Sequence, residues 1–262
     1  SVDGVIEHSY ASGSPDAGFY IGQCYPCKAV ISNVVSENNG LGYSGTNSGG
    51  DLYIISSIFR NNKGGVVPNT LDSELLPPER ESFIIGNLIE NNNNLDAPAW
   101  DAQYISLGNG LIIAGGNNNY IKNNVIANHD VFGLIVTAAL DDNYWPAHGN
   151  IIEQNLIIDS RRADIALSGF SNIGNCFREN QFKTSFPPGL QLLSSCHSFS
   201  FPLGADLSGL WSLIARVVNA NTGTYQKGNW KEFDKPPNQE NMPIMRNLIE
   251  QNYDISKIPA GF

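Results

Sequence analysis

Residues 30–45, VISNVVSENNGLGYSG, decide the fold because they join an alternating apolar strand, an asparagine turn and a second strand that begins at glycine. Short β-rich strands that recur at a fixed period predict stacked coils, in which neighbours complete a core that one coil cannot form alone. The same order of features recurs, with small variations, in residues 52–68 (LYIISSIFRNNKGGVVP), 82–94 (SFIIGNLIENNNN), 119–136, 150–169 and 176–193.

The second strands set the period, which is 22 to 25 residues where no insertion intervenes. Asparagine suits the turns because its backbone tolerates the left-handed region, and stacked asparagines can form a ladder of amide hydrogen bonds. A β-sandwich is the alternative fold, but it does not require the asparagine turn and the glycine strand to recur together. We therefore predict an all-β solenoid whose coils have two strands and two corners. The second strands begin near Gly18, Gly40, Gly65, Gly110, Gly133, Asp164 and Gly189.

Residues 14–23, SPDAGFYIGQ, resemble the DAG-aromatic-apolar-Gly-Gln segment of bacterial exported proteins with right-handed parallel β-helix (PbH1) repeats. The similarity extends to about Cys196 and implies a right-handed parallel β-helix in an extracytoplasmic setting, which means a secreted, periplasmic or cell-surface protein. The fold hosts lyases, hydrolases, epimerases and scaffolds, so it does not define the activity. The chain lacks Asp-Pro-His-Asp, the catalytic string of the alginate-epimerase relatives.

The period divides the chain into two parts. Residues 1–202 are predicted to form a parallel β-helix of about seven coils, and residues 203–262 a C-terminal cap and wrapping tail. The tail includes a short amphipathic piece near Met245 to Gln251. Because Ser1 begins inside a coil, we expect either upstream coils or a subunit that docks at the N-terminal end.

Charge and hydropathy restrict the partners. The formal net charge is −10 with a pI near 4.7, which argues against binding to nucleic acid or to anionic membrane surfaces. No apolar run approaches the length of a membrane span, so we expect a soluble chain. No charged-then-apolar leader stands at Ser1, so we expect that any export signal has been removed or was never included.

The four cysteines are predicted to form staples. Cys24 and Cys176 lie about five coils apart, or roughly 24 Å, which excludes a four-cysteine zinc site. Cys176 and Cys196 lie about one coil apart and can be bridged. Cys24 and Cys27 lack the helix of a redox motif and the histidine of a haem site, so a small disulfide is favoured over a free pair.

Three insertions interrupt the period. Residues 68–82 (PNTLDSELLPPERES) and 137–150 (TAALDDNYWPAHGN) leave the same predicted corner in coils two apart, so their roots are separated by about 10 Å. The coil between them contributes only residues 114–119 (AGGNNN), a flat floor. We predict a lateral cleft of a width that suits a sugar chain, whereas the third insertion, 94–109, belongs to a different face.

The cleft walls combine acidic, basic and aromatic side chains. Paired carboxylates can act as acid and base in glycoside hydrolysis or bind Ca²⁺, although such residues are also common in solvated loops. The candidate catalytic residues are Asp72, Glu74, Asp141 and Asp142, of which Asp72, Asp141 and Asp142 are also the candidate calcium ligands; Glu79 shares the first wall. The candidate substrate-binding residues are Arg80, Asn117, Tyr144, Trp145 and His148.

Two functions fit these observations. The first is binding or processing of a polysaccharide in the cleft, by a hydrolase or a lyase if the protein is an enzyme. The negative charge favours a neutral glycan over an acidic one unless Ca²⁺ bridges the two. The second is a non-catalytic envelope or surface scaffold that contacts other proteins.

Overall fold

Each repeat forms one coil of a right-handed parallel β-helix, which confirms the predicted fold class. The computed structural model describes residues 2–100, 105–169 and 173–196. The first three coils contain β1 (Val5–Glu7), β2 (Tyr10–Ser12), β3 (Ala17–Tyr20), β4 (Ala29–Ser32), β5 (Val35–Glu37), β6 (Leu41–Thr46), β7 (Gly49–Ile55), β8 (Ile58–Arg60) and β9 (Gly64–Asn69). The next two contain β10 (Arg80–Ile85), β11 (Leu88–Glu90), β12 (Leu111–Ala114), β13 (Tyr120–Lys122), β14 (Val125–Ala127), β15 (Phe132–Thr137), β16 (Ala139–Leu140) and β17 (Tyr144–Trp145). The last two contain β18 (Ile151–Glu153), β19 (Leu156–Ile158), β20 (Ala163–Ser168), β21 (Cys176–Arg178), β22 (Ser185–Phe186) and the short helix α1 (Leu190–Leu193).

The strands align into three parallel sheets. The first sheet runs β1-β4-β7-β10-β13-β18-β21, the second β2-β5-β8-β11-β14-β19, and the third β3-β6-β9-β12-β15-β20-β22. Strands β16 and β17 form a separate antiparallel hairpin. Within the described ranges, no helix has the length and apolar character needed to cross a membrane.

A coil has three strands and three corners, so the prediction of two strands was wrong. The segment that looked like one alternating strand is broken by a polar residue with positive φ, such as Asn33 at 51° or Ser56 at 48°. The strand of the second sheet starts two residues after each break, at Val35 in β5 and at Ile58 in β8. The last coil also differs from the prediction, because Gly189 precedes α1 and the third strand there is β22.

Asparagine ladders join the coils at the corners, as predicted. At the corner between the first and second sheets, Asn87 Nδ2 donates to Asn124 Oδ1 at 3.0 Å, and Asn124 Nδ2 donates to Asn155 Oδ1 at 2.9 Å. The ladder continues through Asn180 to Gln191. Each of these amides also hydrogen-bonds a buried backbone group nearby. Leaving such a group without a partner would cost about 1–3 kcal/mol.

The glycine phase of the repeat has a packing reason. A Cβ atom at Gly42 would lie 2.9 Å from Asn62 Nδ2, and one at Gly65 would lie 2.9 Å from Asn92 Nδ2. These glycines leave room inside the third sheet for a second asparagine ladder, at the corner between the second and third sheets. This ladder runs Asn39–Asn62–Asn92 and then reaches His129. Glycine and asparagine therefore recur together because they occupy the same space.

Both predicted disulfides are formed. Cys24 and Cys27 close a turn with a Cα–Cα distance of 4.9 Å, and Cys176 and Cys196 are bridged at 4.7 Å. The first joins β3 to β4 at the corner between the third and first sheets. The predicted tail, residues 203–262, lies outside the described residues, and so does the amphipathic piece within it.

Candidate functional site

The two long insertions occupy one corner of the β-helix. Residues 68–82 connect β9 to β10 and residues 137–150 connect β15 to β18, so each leaves the third sheet and enters the first, as predicted. The third insertion follows β11 and precedes β12, which places its root at the corner between the second and third sheets. We call the corner that carries the two long insertions the insertion corner.

The carboxylate of Asp72 ties the two insertions together. Its Oδ2 accepts the backbone N–H of Asn143 at 2.7 Å, and its Oδ1 accepts Asn143 Nδ2 at 2.8 Å and Trp145 Nε1 at 3.1 Å. The backbone N–H of Asp72 donates in turn to Asp141 Oδ2 at 2.9 Å. These donors, Asn143 above all, lower the pKa of Asp72, so this carboxyl is held ionised.

The predicted open cleft between the insertions is not formed. The predicted floor contains Gly115, and the β16–β17 hairpin packs directly on it. A Cβ atom at Gly115 would lie 2.9 Å from Trp145 Cβ and 3.0 Å from Ala139 Cβ. Loops of this length span far more than the roughly 10 Å between their roots, so they can meet over the intervening coil. The insertions form one joined platform rather than two walls.

Glu79 lies inside the β-helix and not on a wall. Its side chain is fully buried, accepting Ser82 Oγ at 2.8 Å and Asn119 Nδ2 at 2.7 Å. A Cβ atom at Gly116 would lie 2.0 Å from Glu79 Oε2, so the lack of a side chain at Gly116 leaves room for the Glu79 carboxyl. Desolvation raises the pKa of Glu79 to about 8.

Three predicted substrate-binding residues form a row along the helix axis. Arg80 pairs with Asn117, and Asn117 pairs with His148, each at the same position in successive coils. Neighbouring members are therefore separated by the strand spacing of about 4.8 Å. Asn117 Oδ1 accepts the backbone N–H of His148 at 2.9 Å, which fixes the two relative to each other. All three side chains are partly exposed.

One aromatic residue that sequence reasoning did not select flanks this row. The Arg80 guanidinium lies 3.7 Å from the centre of the Tyr25 ring, and Tyr25 Oη donates to Glu81 Oε2 at 2.8 Å. Tyr25 belongs to the turn that Cys24 and Cys27 close. The position of this CYPC turn, between a third-sheet and a first-sheet strand, was the sequence signal that could have assigned it to the insertion corner.

The remaining candidate residues are spread over the platform. Glu74 Oε2 accepts the hydroxyl of Tyr20 at 2.5 Å, and Asn47 Nδ2 donates to the Glu74 carbonyl at 2.9 Å, so this part of the loop leans toward the first coils. Asp141 and Asp142 are exposed at the tip of the hairpin. Catalysis by Asp72, Glu74, Asp141 and Asp142 stays a prediction.

The arrangement gives no support for a calcium site. Oδ1 of Asp72 already accepts two N–H groups and Oδ2 accepts one, so little of its capacity is left for a cation. Among the residues that the structure describes, no group of three or more His, Cys, Asp and Glu side chains is placed to hold a metal ion. What the corner offers chemically is a set of fixed donors and acceptors beside tyrosine rings.

Comparison with known proteins adds little. No protein-family model matches the chain, and no curated protein matches it. The structure is similar to that of the A-module of mannuronan C-5 epimerase AlgE4 from Azotobacter vinelandii, with a TM-score of 0.44 and 14% sequence identity. The match covers 68% of this chain and 52% of the A-module, so this chain spans about half the length of that structure.

Proposed function

We propose that the protein binds a neutral, linear polysaccharide along the insertion corner. The observation that carries the proposal is the row formed by Arg80, Asn117 and His148, whose backbones pair at the strand spacing of about 4.8 Å, with the Arg80 guanidinium lying over Tyr25. A linear polymer presents its own hydroxyl groups at regular intervals, so a regular row of donors and acceptors suits it.

Two tyrosine rings, one beside the row and one on the hairpin, complete the proposed surface. Tyr25 and Tyr144 are 41% and 36% exposed. Such rings supply apolar area and a polar tip, the combination that carbohydrate surfaces require. Tyr25 is held by the Cys24–Cys27 turn and by Arg80, and such prior ordering reduces the entropy lost on binding.

Charge favours a neutral ligand. The insertion corner carries carboxylates at Asp72, Glu74, Glu81, Asp141 and Asp142. Arg80 and Lys28, which follows the CYPC turn, do not offset these five carboxylates, and a polyuronate would be repelled. The fixed, ionised state of Asp72 and the burial of Glu79 favour binding over acid–base catalysis at this corner. We also propose an extracytoplasmic location, which the two disulfides support.

Titration calorimetry with soluble neutral glycans tests the proposal, with polygalacturonate and alginate as acidic comparisons in the presence and absence of Ca²⁺. We expect Asn117→Ala and Tyr144→Ala each to weaken binding of the neutral glycan about tenfold, since each loses about 1–2 kcal/mol of contact. Trp100→Ala is the matched control, because Trp100 is 56% exposed on the third insertion, at a different corner.

Three outcomes are distinguished. Binding that is weakened only by the insertion-corner variants supports the proposal. Release of reducing ends or unsaturated uronates that is lost in Asp141→Asn or Asp142→Asn would replace binding with catalysis at the same place. Equal weakening by Trp100→Ala, or no binding to any glycan, would reject it and favour the scaffold.

A further inference from the structure

Two neighbouring leucines are exposed on the first insertion. Leu75 is 70% exposed and Leu76 is 48% exposed. Tyr20 of β3, which is 43% exposed, lies beside them, since its hydroxyl donates to Oε2 of Glu74 at 2.5 Å. Single exposed apolar residues are common on protein surfaces, whereas a contiguous group of them indicates a surface that binds something.

The leucines adjoin the polar row at its Arg80 end. Arg80 Nη1 donates to the carbonyl oxygen of Leu76 at 3.3 Å, and the Arg80 guanidinium lies over the Tyr25 ring. The N–H of Leu75 donates to Oε1 of Gln23 at 3.4 Å, beyond Arg80 in the direction of the first coil. A ligand that follows the row past Arg80 therefore meets apolar side chains. We call Tyr20, Tyr25, Leu75 and Leu76 the apolar patch.

The loop that carries the patch is held in place by the coils beneath it. Asn47 Nδ2 donates to the carbonyl oxygens of Leu71 and Glu74, at 2.7 Å and 2.9 Å. Leu76 has a φ of 65°, a left-handed conformation that is uncommon for a bulky residue. Such conformations persist where the surroundings fix them, and they cluster at binding positions. Because the leucines are already ordered, a ligand that contacts them loses little further entropy.

Charges beside the patch restrict what can occupy it. The hydroxyls of its two tyrosines donate to carboxylates, those of Glu74 and Glu81. A second copy of this chain that docked symmetrically would bring the same carboxylates face to face, which like-charge repulsion disfavours. An anionic lipid surface is disfavoured for the same reason. The charges therefore favour an uncharged apolar occupant.

The size of the patch favours a small apolar group over a protein surface. A stable protein interface takes about 20–30 residues from each side, whereas this patch consists of four side chains at the end of a polar row. A neutral polysaccharide can carry apolar, uncharged groups as acyl esters of its hydroxyls. The carbonyl oxygen of an ester accepts hydrogen bonds, and Arg80, with five N–H donors, lies at the edge of the patch.

We propose that the apolar patch binds acyl esters of the polysaccharide, so that the preferred ligand is a neutral glycan with O-acetyl or similar short acyl groups. The inference rests on the proposed polysaccharide function and adds the substituent that the ligand carries. The row contacts the sugar chain and the patch contacts the ester, so variants of the two surfaces should have separate effects.

Titration calorimetry with O-acetylated glucomannan, and with the same polymer after mild alkali has removed its esters, tests the proposal. We expect the acetylated polymer to bind about tenfold more tightly, the effect of burying one or two further carbon atoms. In the double variant Leu75→Ser/Leu76→Asn that advantage should disappear, while the affinity for the deacetylated polymer stays unchanged. Asparagine tolerates the left-handed conformation at position 76, so the loop should keep its backbone.

Two further variants separate the patch from its surroundings. Leu95→Ser is the matched control, because Leu95 is 68% exposed on the third insertion, at a different corner, and it should leave both affinities unchanged. Asn117→Ala, in the row, should weaken the binding of both polymers by the same factor.

Three results would overturn the inference. Equal affinity of the wild type for both polymers, or an advantage of acetylation that survives in the double variant, would reject ester binding and leave the polysaccharide function in place. If neither polymer binds, the inference fails, and the other neutral glycans decide the polysaccharide function separately. Self-association of the wild type in sedimentation that the double variant loses would assign the patch to a protein contact.

Discussion

Two corners of the same β-helix differ in regularity. Between the first and second sheets every turn is short, and one ladder of side-chain amides runs from Asn87 to Gln191. Between the third and first sheets the ladder runs Asn175–Asn150, reaches Asn119 through its backbone N–H, and ends on the carboxyl of Glu79. Both long insertions emerge at this insertion corner: residues 68–82 include Glu79, where the ladder ends, and residues 137–150 run into Asn150, within the ladder.

The regular ladder should be the most sensitive element to substitution. Asn124→Ala removes the acceptor of two Asn87 N–H groups and the donors to Ile84 O and Asn155 Oδ1, all of them buried. We expect a loss of about 4 kcal/mol in the free energy of unfolding, since each buried group left unsatisfied costs about 1–3 kcal/mol. Urea denaturation measures the change.

The neighbouring residue separates the ladder from the turn. Asn123 precedes Asn124 in the same turn and has a φ of 53°, which glycine adopts without strain. Asn123→Gly should change the unfolding free energy by less than about 1 kcal/mol. Similar losses in the two variants would show that the turn conformation, and not the ladder, stabilises this corner.

At the insertion corner, Glu79 should make stability depend on pH. Its pKa is raised to about 8, so the folded state favours the protonated form. The free energy of unfolding is therefore highest below the ordinary pKa of about 4.5, where the carboxyl is protonated in both the folded and the unfolded state. The free energy of unfolding should fall as pH rises from there toward 8, by up to about 3 kcal/mol at pH 7. Arg80 and Tyr43 are the other ionisable groups that influence this carboxyl.

Glu79→Gln mimics the protonated form and should remove that fall. Its stability should exceed that of the wild type at pH 7 and approach it near pH 4, as measured by urea denaturation across the range. Glu81→Gln alters a carboxyl two residues away that bonds Tyr25 at the surface, and it should keep the wild-type profile. A flat wild-type profile between pH 5 and 8 would contradict the assignment.

At the corner between the second and third sheets, stability should depend on pH in the opposite direction. His129 is buried, takes the place of an asparagine after Asn92, and has its pKa lowered to about 3 by desolvation. The folded state favours the neutral imidazole. The free energy of unfolding is therefore highest above the ordinary pKa of about 6.5, and it decreases as pH falls toward 3. The loss at pH 5 should be about 2 kcal/mol.

His129→Asn restores the ladder residue and should abolish the acid-side loss. Thermal melts of the wild type and the variant at pH 7 and pH 5 measure it, and the two proteins should diverge only at the lower pH. Divergence of equal size at both values would indicate a packing effect in place of titration.

The regular parts of the molecule were predictable because a local rule repeats. Glycine and asparagine alternate with apolar residues at one period, and this pattern specified stacked coils and ladders and placed Cys176 about one coil from Cys196. The number of strands per coil was not predictable in the same way, because Asn33 and Ser56 resemble exposed positions of one alternating strand. Only their positive φ makes them corners.

The insertion corner was predictable in position and not in geometry. The period located the roots of both insertions on one side, and it placed Arg80, Asn117 and His148 there. It contained no information on how two loops of irregular sequence pack together. The tie through Asp72 depends on Asn143, which carries no motif, and the burial of Glu79 depends on the missing side chain of Gly116.

The smallest effect concerns that tie, because Asp72 lies at the surface and serves only the irregular corner. Asp72→Ala should leave the global melting temperature nearly unchanged, since the ladders and the core do not involve it. It should speed amide exchange in the hairpin, residues 139–145, because the donors on Asn143 and Trp145 lose their acceptor. In the wild type the same loosening should appear only in acid, since the lowered pKa of Asp72 keeps the tie intact until the carboxyl is protonated.

Asp142→Ala, next to the residue that accepts the Asp72 N–H, is the control that should leave the hairpin protected. If Asp72→Ala instead lowers the global stability as much as Asn124→Ala does, the two corners share one cooperative unit and the contrast between them fails.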